Sequence, residues 1–252
     1  MSWATTDRLE AALLCLVACG GLGWQALRLV ARLPEPRSEP EQGAGESDRL
    51  FSRSLPPPPD KEPYAAIAAR PGLAVKVALS SALVGACVGL AVGLGGALAY
   101  LVPLVPVGMV LLVVDWRTTL LPTRIIHPTY VLLAVLIPVA ALLDHDLTSL
   151  YRAGWGWLLV GGWFWVFWWL LGAWGFGDVR LARVLGPALG YLGWDQLVVG
   201  LFLVLLVGGL GGVVLGIAHR SLRRRFPYGP FMLVGAFLGV VLGPWLAAGL
   251  GY

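Results

Sequence analysis

Gly175-Phe176-Gly177-Asp178-Val179-Arg180 sets a carboxylate directly behind two glycines at the end of an apolar, Trp-rich segment. A charge is costly in such a setting, and glycine lets a backbone come close to something. After residue 72 the acidic residues are Asp115, Asp144, Asp146, Asp178 and Asp195. Asp115 closes an apolar run that includes Val107 to Val114. Two facing carboxylates suit amide hydrolysis, because at close range they resist both being ionised and tend to share a proton. One is then a base that activates water, and the other an acid that assists the carbonyl and the leaving amine. Such a pair titrates as a unit. Plainer readings stand beside this one. Asp178 makes a reasonable helix N-cap, favoured by the macrodipole. Asp115 sits at a helix C-terminus, where negative charge is disfavoured, but Arg117 is near enough in sequence to pair with it. Intramembrane carboxylates also mark transporters and proton pathways.

The elements that must position these residues are membrane helices. Of 252 residues, 58% are hydrophobic and 13% charged, too little charge to cover a water-facing surface. A span takes about 20 apolar residues, and the chain reads as all-α, a polytopic membrane helix bundle of about eight helices. Residues 1–31 hold the first, Leu9 to Val30. Residues 32–72 are Pro-rich with both charges interspersed and are predicted to be an extramembrane linker, with too little apolar surface to order itself. Residues 73–252 form the membrane-embedded core. Its spans fall near 73–96, 97–115, 128–143, 154–173, 179–193, 196–217 and 228–250, the 179–193 helix being short and carrying two arginines.

Lys and Arg set the orientation. With the N-terminus outside, the cytoplasmic segments carry Arg117, Arg124, Arg180, Arg183 and the cluster Arg220, Arg223, Arg224 and Arg225. The opposite side keeps Asp7, Glu10, Asp144, Asp146 and Asp195, with Arg8 and Arg152 its only arginines near loops. Three of the five late carboxylates thus belong to outer loops, while Asp115 and Asp178 share the cytoplasmic level. Leu16-Val17-Ala18-Cys19 has the look of a lipoprotein cleavage box, but cleavage there would invert every later loop and expose the arginine cluster. The basic excess reports topology, not nucleic-acid binding. Cys15, Cys19 and Cys87 lie in apolar segments without a C-x-x-C pair and read as packing residues. His127, His145 and His219 have no ligand partner in sequence, so no metal or other cofactor is indicated. Glycines at four-residue spacing, Gly85/Gly89/Gly93, Gly208/Gly212/Gly216 and Gly235/Gly239/Gly243, predict closely packed helices.

Three ordered motifs carry a resemblance to a family. Gly175-Phe176-Gly177-Asp178 reproduces a GxGD box, with Arg180 where lysine is usual. Asp115-Trp116-Arg117-Thr118-Thr119-Leu120-Leu121-Pro122 looks like a first-aspartate motif with Leu-Pro at the family spacing, and Pro128 falls where a second proline is common. Pro227-Tyr228-Gly229-Pro230-Phe231 resembles a late proline-glycine-proline signature, and Gly23 with Arg32-Leu33-Pro34 faintly echoes a first-helix ending. The sequence resembles the prepilin peptidases, the type IV leader peptidases among GxGD-class membrane aspartic proteases, specifically over about 100 to 252.

The resemblance implies a multi-pass enzyme of the bacterial cytoplasmic (inner) membrane that cleaves the leader of prepilin-like substrates on the cytoplasmic side. Type IV pilins, Flp-type pilins and pseudopilins are the substrates it allows. Asp115 and Asp178 become the catalytic pair, and Gly175, Gly177 and Arg180 the active-site loop. Arg180 either biases the pair or reports topology. Many members also carry paired C-x-x-C motifs in a zinc domain after the first helix, associated with methylating the new N-terminus. Residues 32–72 contain no cysteine, which points to cleavage without methyl transfer. A membrane transporter and a non-catalytic pilus-assembly protein are the competing functions, and the sequence leaves self-association open.

Overall fold

The computed structural model describes residues 2–32, 62–171, 175–218 and 227–249. Most of the Pro-rich stretch, Trp174, His219 and the basic cluster from Arg220 to Arg225 lie outside the described residues. Among the described residues there are nine α-helices and no strand: α1 Ser2–Val30, α2 Tyr64–Ala68, α3 Leu73–Val92, α4 Leu98–Thr118, α5 Thr123–Leu143, α6 Thr148–Leu171, α7 Phe176–Leu192, α8 Trp194–Ala218 and α9 Gly229–Gly249. Seven of them, all but α2 and α7, are long and apolar enough to cross a membrane. The protein is an all-α, polytopic membrane helix bundle.

Glycine sets how closely the helices approach. On α3, a Cβ at Gly85 would stand 2.8 Å from Cys19 Cβ, and one at Gly89 2.5 Å from the Ala11 carbonyl oxygen, so α1 and α3 pack backbone to backbone. Cys15 and Cys19 fill this contact, and the Cys19 thiol reaches the Val102 carbonyl of α4 at 3.4 Å. On α9, a Cβ at Gly235 would stand 2.5 Å from Val204 Cα of α8, and one at Gly243 3.0 Å from Gln196 Cα. Lipid tails are as apolar as leucine, so this close van der Waals packing, not hydrophobic drive, holds such helices together.

Several elements differ from the sequence reading. Helix α5 begins at Thr123, not near 128: Pro122, extended at φ −67° and ψ 118°, starts it, and Pro128 is accommodated inside, as membrane helices allow. Arg124 and His127 are therefore helical. Helix α6 begins at Thr148, whose N–H donates to Asp146 at 2.9 Å, six residues before the apolar pattern becomes continuous. The end of the Pro-rich stretch is ordered: in α2, Tyr64 and Ile67 are buried among Leu27, Val30, Val77, Val110 and Val114.

Helix α7, with 17 residues, is short but is the most enclosed, and it packs against α5, α6, α8 and α9. It runs antiparallel to α4. The buried Tyr100 hydroxyl donates to the Ala188 carbonyl at 2.8 Å, pinning the start of α4 to the end of α7. The opposite ends, bearing Asp115 and Asp178, are thereby brought to a common level.

Candidate active site

Asp115 lies in the last turn of α4, 3% exposed. The turn is closed by Thr119, whose backbone is left-handed at φ 52° and whose N–H donates to the Asp115 carbonyl at 2.7 Å. The Thr118 hydroxyl caps the Val114 carbonyl at 2.8 Å. This tight ending turns the chain sharply, so that Leu120 and Leu121 fold back before Pro122 starts α5. Arg117 does not pair with Asp115. It approaches Glu62 at 4.0 Å, and Glu62 is bound more closely by Arg70 at 2.7 Å.

Asp178 is 9% exposed and is not the N-cap. Gly175 occupies that position, with α7 starting at Phe176, and Asp178 is the third helical residue. Its Oδ2 accepts the Gly175 N–H at 2.9 Å while its own N–H donates to the Gly175 carbonyl at 3.0 Å. This reciprocal pairing is a capping-box arrangement made with an aspartate. Gly175, at φ −71° and ψ 151°, adopts a backbone open to any residue. Gly177 is different: a Cβ there would meet Leu121 Cβ at 3.1 Å.

A third element completes the site. The N–H of Gly229, first residue of α9, donates to Asp115 Oδ2 at 2.9 Å. A Cβ on Gly229 would stand 2.6 Å from that oxygen and 3.4 Å from Leu121 Cδ2. Leu121 therefore packs against both the Gly177 and the Gly229 backbones, the one next to Asp178 in sequence and the other hydrogen-bonded to Asp115. Each aspartate takes one glycine N–H on Oδ2, and among the described residues neither Oδ1 receives a hydrogen bond. Both Oδ1 atoms are left for a water or a carbonyl oxygen.

Arg180 points elsewhere. Its guanidinium donates to the Thr123 hydroxyl at the start of α5 and lies over the Phe176 ring, 4.6 Å from the centroid. The Tyr130 hydroxyl donates to the Arg180 carbonyl at 2.9 Å. It thus ties α7 to α5 and does not touch either carboxylate. Asp144 and Asp146 sit at the other end of the bundle. Asp144 accepts from the Gly96 N–H and from the Tyr191 hydroxyl, the latter at 2.7 Å, so this loop carboxylate fastens the α3–α4 and α5–α6 connections to the end of α7. Asp146 pairs with Arg152 at 3.3 Å. Sequence singles out Gly175, Gly177 and Arg180 but not Leu121 and Gly229, although both belong to the same ordered motifs. Nothing local in sequence shows that the α9 signature meets the α4 aspartate 114 positions earlier.

Fold and site together define a membrane-embedded helical protein with two buried carboxylates at one end of the bundle, each oriented by a backbone N–H. Residues 102–217 match the type IV leader peptidase family. The chain is similar to the prepilin leader peptidase/N-methyltransferase of Escherichia coli (strain K12), 30% identical over 152 residues, which is 55% of this chain and 61% of that one. The chain thus spans under two thirds of the relative's length. No solved structure matches the chain.

Proposed function

We propose that this protein is a membrane aspartic endopeptidase that removes the N-terminal leader of prepilin-like substrates at the cytoplasmic face of the inner membrane, with Asp115 and Asp178 as its catalytic pair. The observation that carries this reading is the pair itself. Two buried carboxylates are brought to the same Leu121 contact, each fixed by a single glycine N–H. The match of residues 102–217 to the type IV leader peptidases supports it, since both aspartates fall inside that range.

In the proposed reaction one carboxylate takes a proton from water and the hydroxyl attacks the scissile carbonyl carbon. The other donates its proton to the carbonyl oxygen. Collapse of the tetrahedral intermediate breaks the C–N bond: the carboxyl that took the water proton gives it to the leaving amine, and the other carboxylate takes a proton from a hydroxyl of the diol as the carbonyl re-forms, so the pair again holds one proton. Enclosure in a low-dielectric site strengthens each of these charge interactions. Gly177 lets the α7 loop close onto Leu121, and the Gly229 N–H holds Asp115 in orientation. Arg180 acts on this scheme through its attachment of α7 to α5. The Escherichia coli relative is also named as an N-methyltransferase. For this chain we propose cleavage alone, because residues 32–72 carry no cysteine pair.

Mass spectrometry of a prepilin co-expressed with the protein tests the reading. The expected product lacks its leader and carries an unmodified new N-terminus. An intact leader would overturn the peptidase assignment, and a methylated product would overturn the restriction to cleavage.

A further inference from the structure

Arg183, which the sequence groups with the cytoplasmic arginines, instead lies alongside the middle of α6, so it is no marker of the cytoplasmic side and is a cation that the proposed chemistry does not use. Its stem passes over Gly161, near the middle of α6, where a Cβ would stand 2.6 Å from Arg183 Cγ. Its guanidinium lies over the Trp157 ring, 5.6 Å from the centroid and one turn nearer the start of α6. The charge therefore sits near mid-depth of a helix long enough to span the membrane. Among the described residues no carboxylate pairs with it. Asp115 and Asp178 are held by Gly229 and Gly175, Asp144 by Gly96 and Tyr191, and Asp146 by Arg152. Tyr130 on α5 shares the groove with Arg183 and is not acidic.

Arg183 lines a lateral groove of about 500 Å³ between α5, α6 and α7, whose other walls include Leu133, Ile137, Leu150, Trp157 and Pro187. An arginine at such depth is costly unless an anion or water meets it. A phospholipid phosphate resides at the interface, far from the middle of α6. Among its described residues a second copy of this chain offers no acid at the middle of a span: Asp7 and Glu10 fall in the first third of α1, Glu62 precedes α2, Asp144, Asp146 and Asp195 sit at or between helix ends, and Asp115 and Asp178 are buried. Nor is the groove an extension of the carboxylate pair. Five residues separate Asp178 from Arg183, which at about 100° per residue turns them about 140° apart around α7.

We propose that this groove receives a membrane-spanning helix of another protein that carries an aspartate or glutamate in the middle of its apolar stretch, and that this carboxylate pairs with Arg183. Charge complementarity selects the occupant: an apolar face fills the groove and one acid, buried with its partner, meets the guanidinium. The inference stands independently of the peptidase reading.

The full-length protein in liposomes, with labelled synthetic Leu/Ala helices of about 20 residues bearing Glu, Gln or Lys at the centre, provides the test by energy transfer. The Glu helix should associate about tenfold more tightly than the Gln helix. Arg183→Gln should erase that preference, and Arg183→Glu should transfer it to the Lys helix, which also shows that the variant folds. Equal affinity for the Glu and Gln helices, or a Glu preference that survives Arg183→Gln, would overturn the proposal. Retention of an anionic phospholipid by Arg183 in place of any peptide preference would do the same.

Discussion

Gly175 and Gly177 stand two residues apart in one motif yet have unlike roles. Gly175 contributes an N–H to Asp178 from a backbone conformation that any residue adopts, and an added Cβ would make only an ordinary 3.4 Å contact. Gly177 faces the Cβ of Leu121, the stiff base of a side chain that cannot swing away. Gly175→Ala should therefore keep leader cleavage within about twofold of the native rate, while Gly175→Pro, lacking the N–H, should lose it. Gly177→Ala should lower cleavage about ten- to hundredfold, the scale of a misplacement of a fraction of an ångström to an ångström. Initial cleavage rates of a prepilin in membranes measure both. Gly229→Ala should act like Gly177→Ala, since its Cβ would press on Asp115 Oδ2. Such distinctions were not legible in sequence. The GxGD spacing marks which residues matter, but only the position of Leu121 shows which glycine is needed for space.

Among the elements, α2 is the one that composition concealed. Pro56 to Pro59 and the mixed charges around them describe a chain that cannot order itself, and the reading was extended through residue 72. Tyr64 and Ile67 are two apolar residues too few to register as a helix, yet both are buried against α1, α3 and the Asp115-bearing α4. Ile67→Ala should cost about 2–5 kcal/mol, read as a lowered unfolding temperature in detergent, and should reduce cleavage because Val110 and Val114 line the same contact. The long apolar helices were legible because each exceeds the length and hydropathy a span needs. Their starts were not, since Thr123 and Thr148 begin helices through a proline and a carboxylate acceptor that hydropathy does not register.

For the whole molecule, sequence charge gave a topology that puts Asp115 and Asp178 at one level. The antiparallel run of α4 and α7, tied at the far end by the Tyr100 hydroxyl to the Ala188 carbonyl, is compatible with that placement. Which end faces the cytoplasm is a proposal, carried by the arginines. Substituted-cysteine labelling of intact cells tests it: His145→Cys should react with an impermeant maleimide, and Leu120→Cys only after permeabilisation. The reverse pattern would move the site to the outer face and remove cytoplasmic leader cleavage from consideration.

The central claim is that the two aspartates act as a unit, each indispensable. Leader cleavage by Asp115→Asn and by Asp178→Asn, assayed separately in membranes at matched protein levels, tests it most directly. Each substitution keeps an oxygen to accept the glycine N–H while removing the titratable group. Both variants should accumulate in the membrane and neither should cut. Retained cleavage by either variant would contradict it.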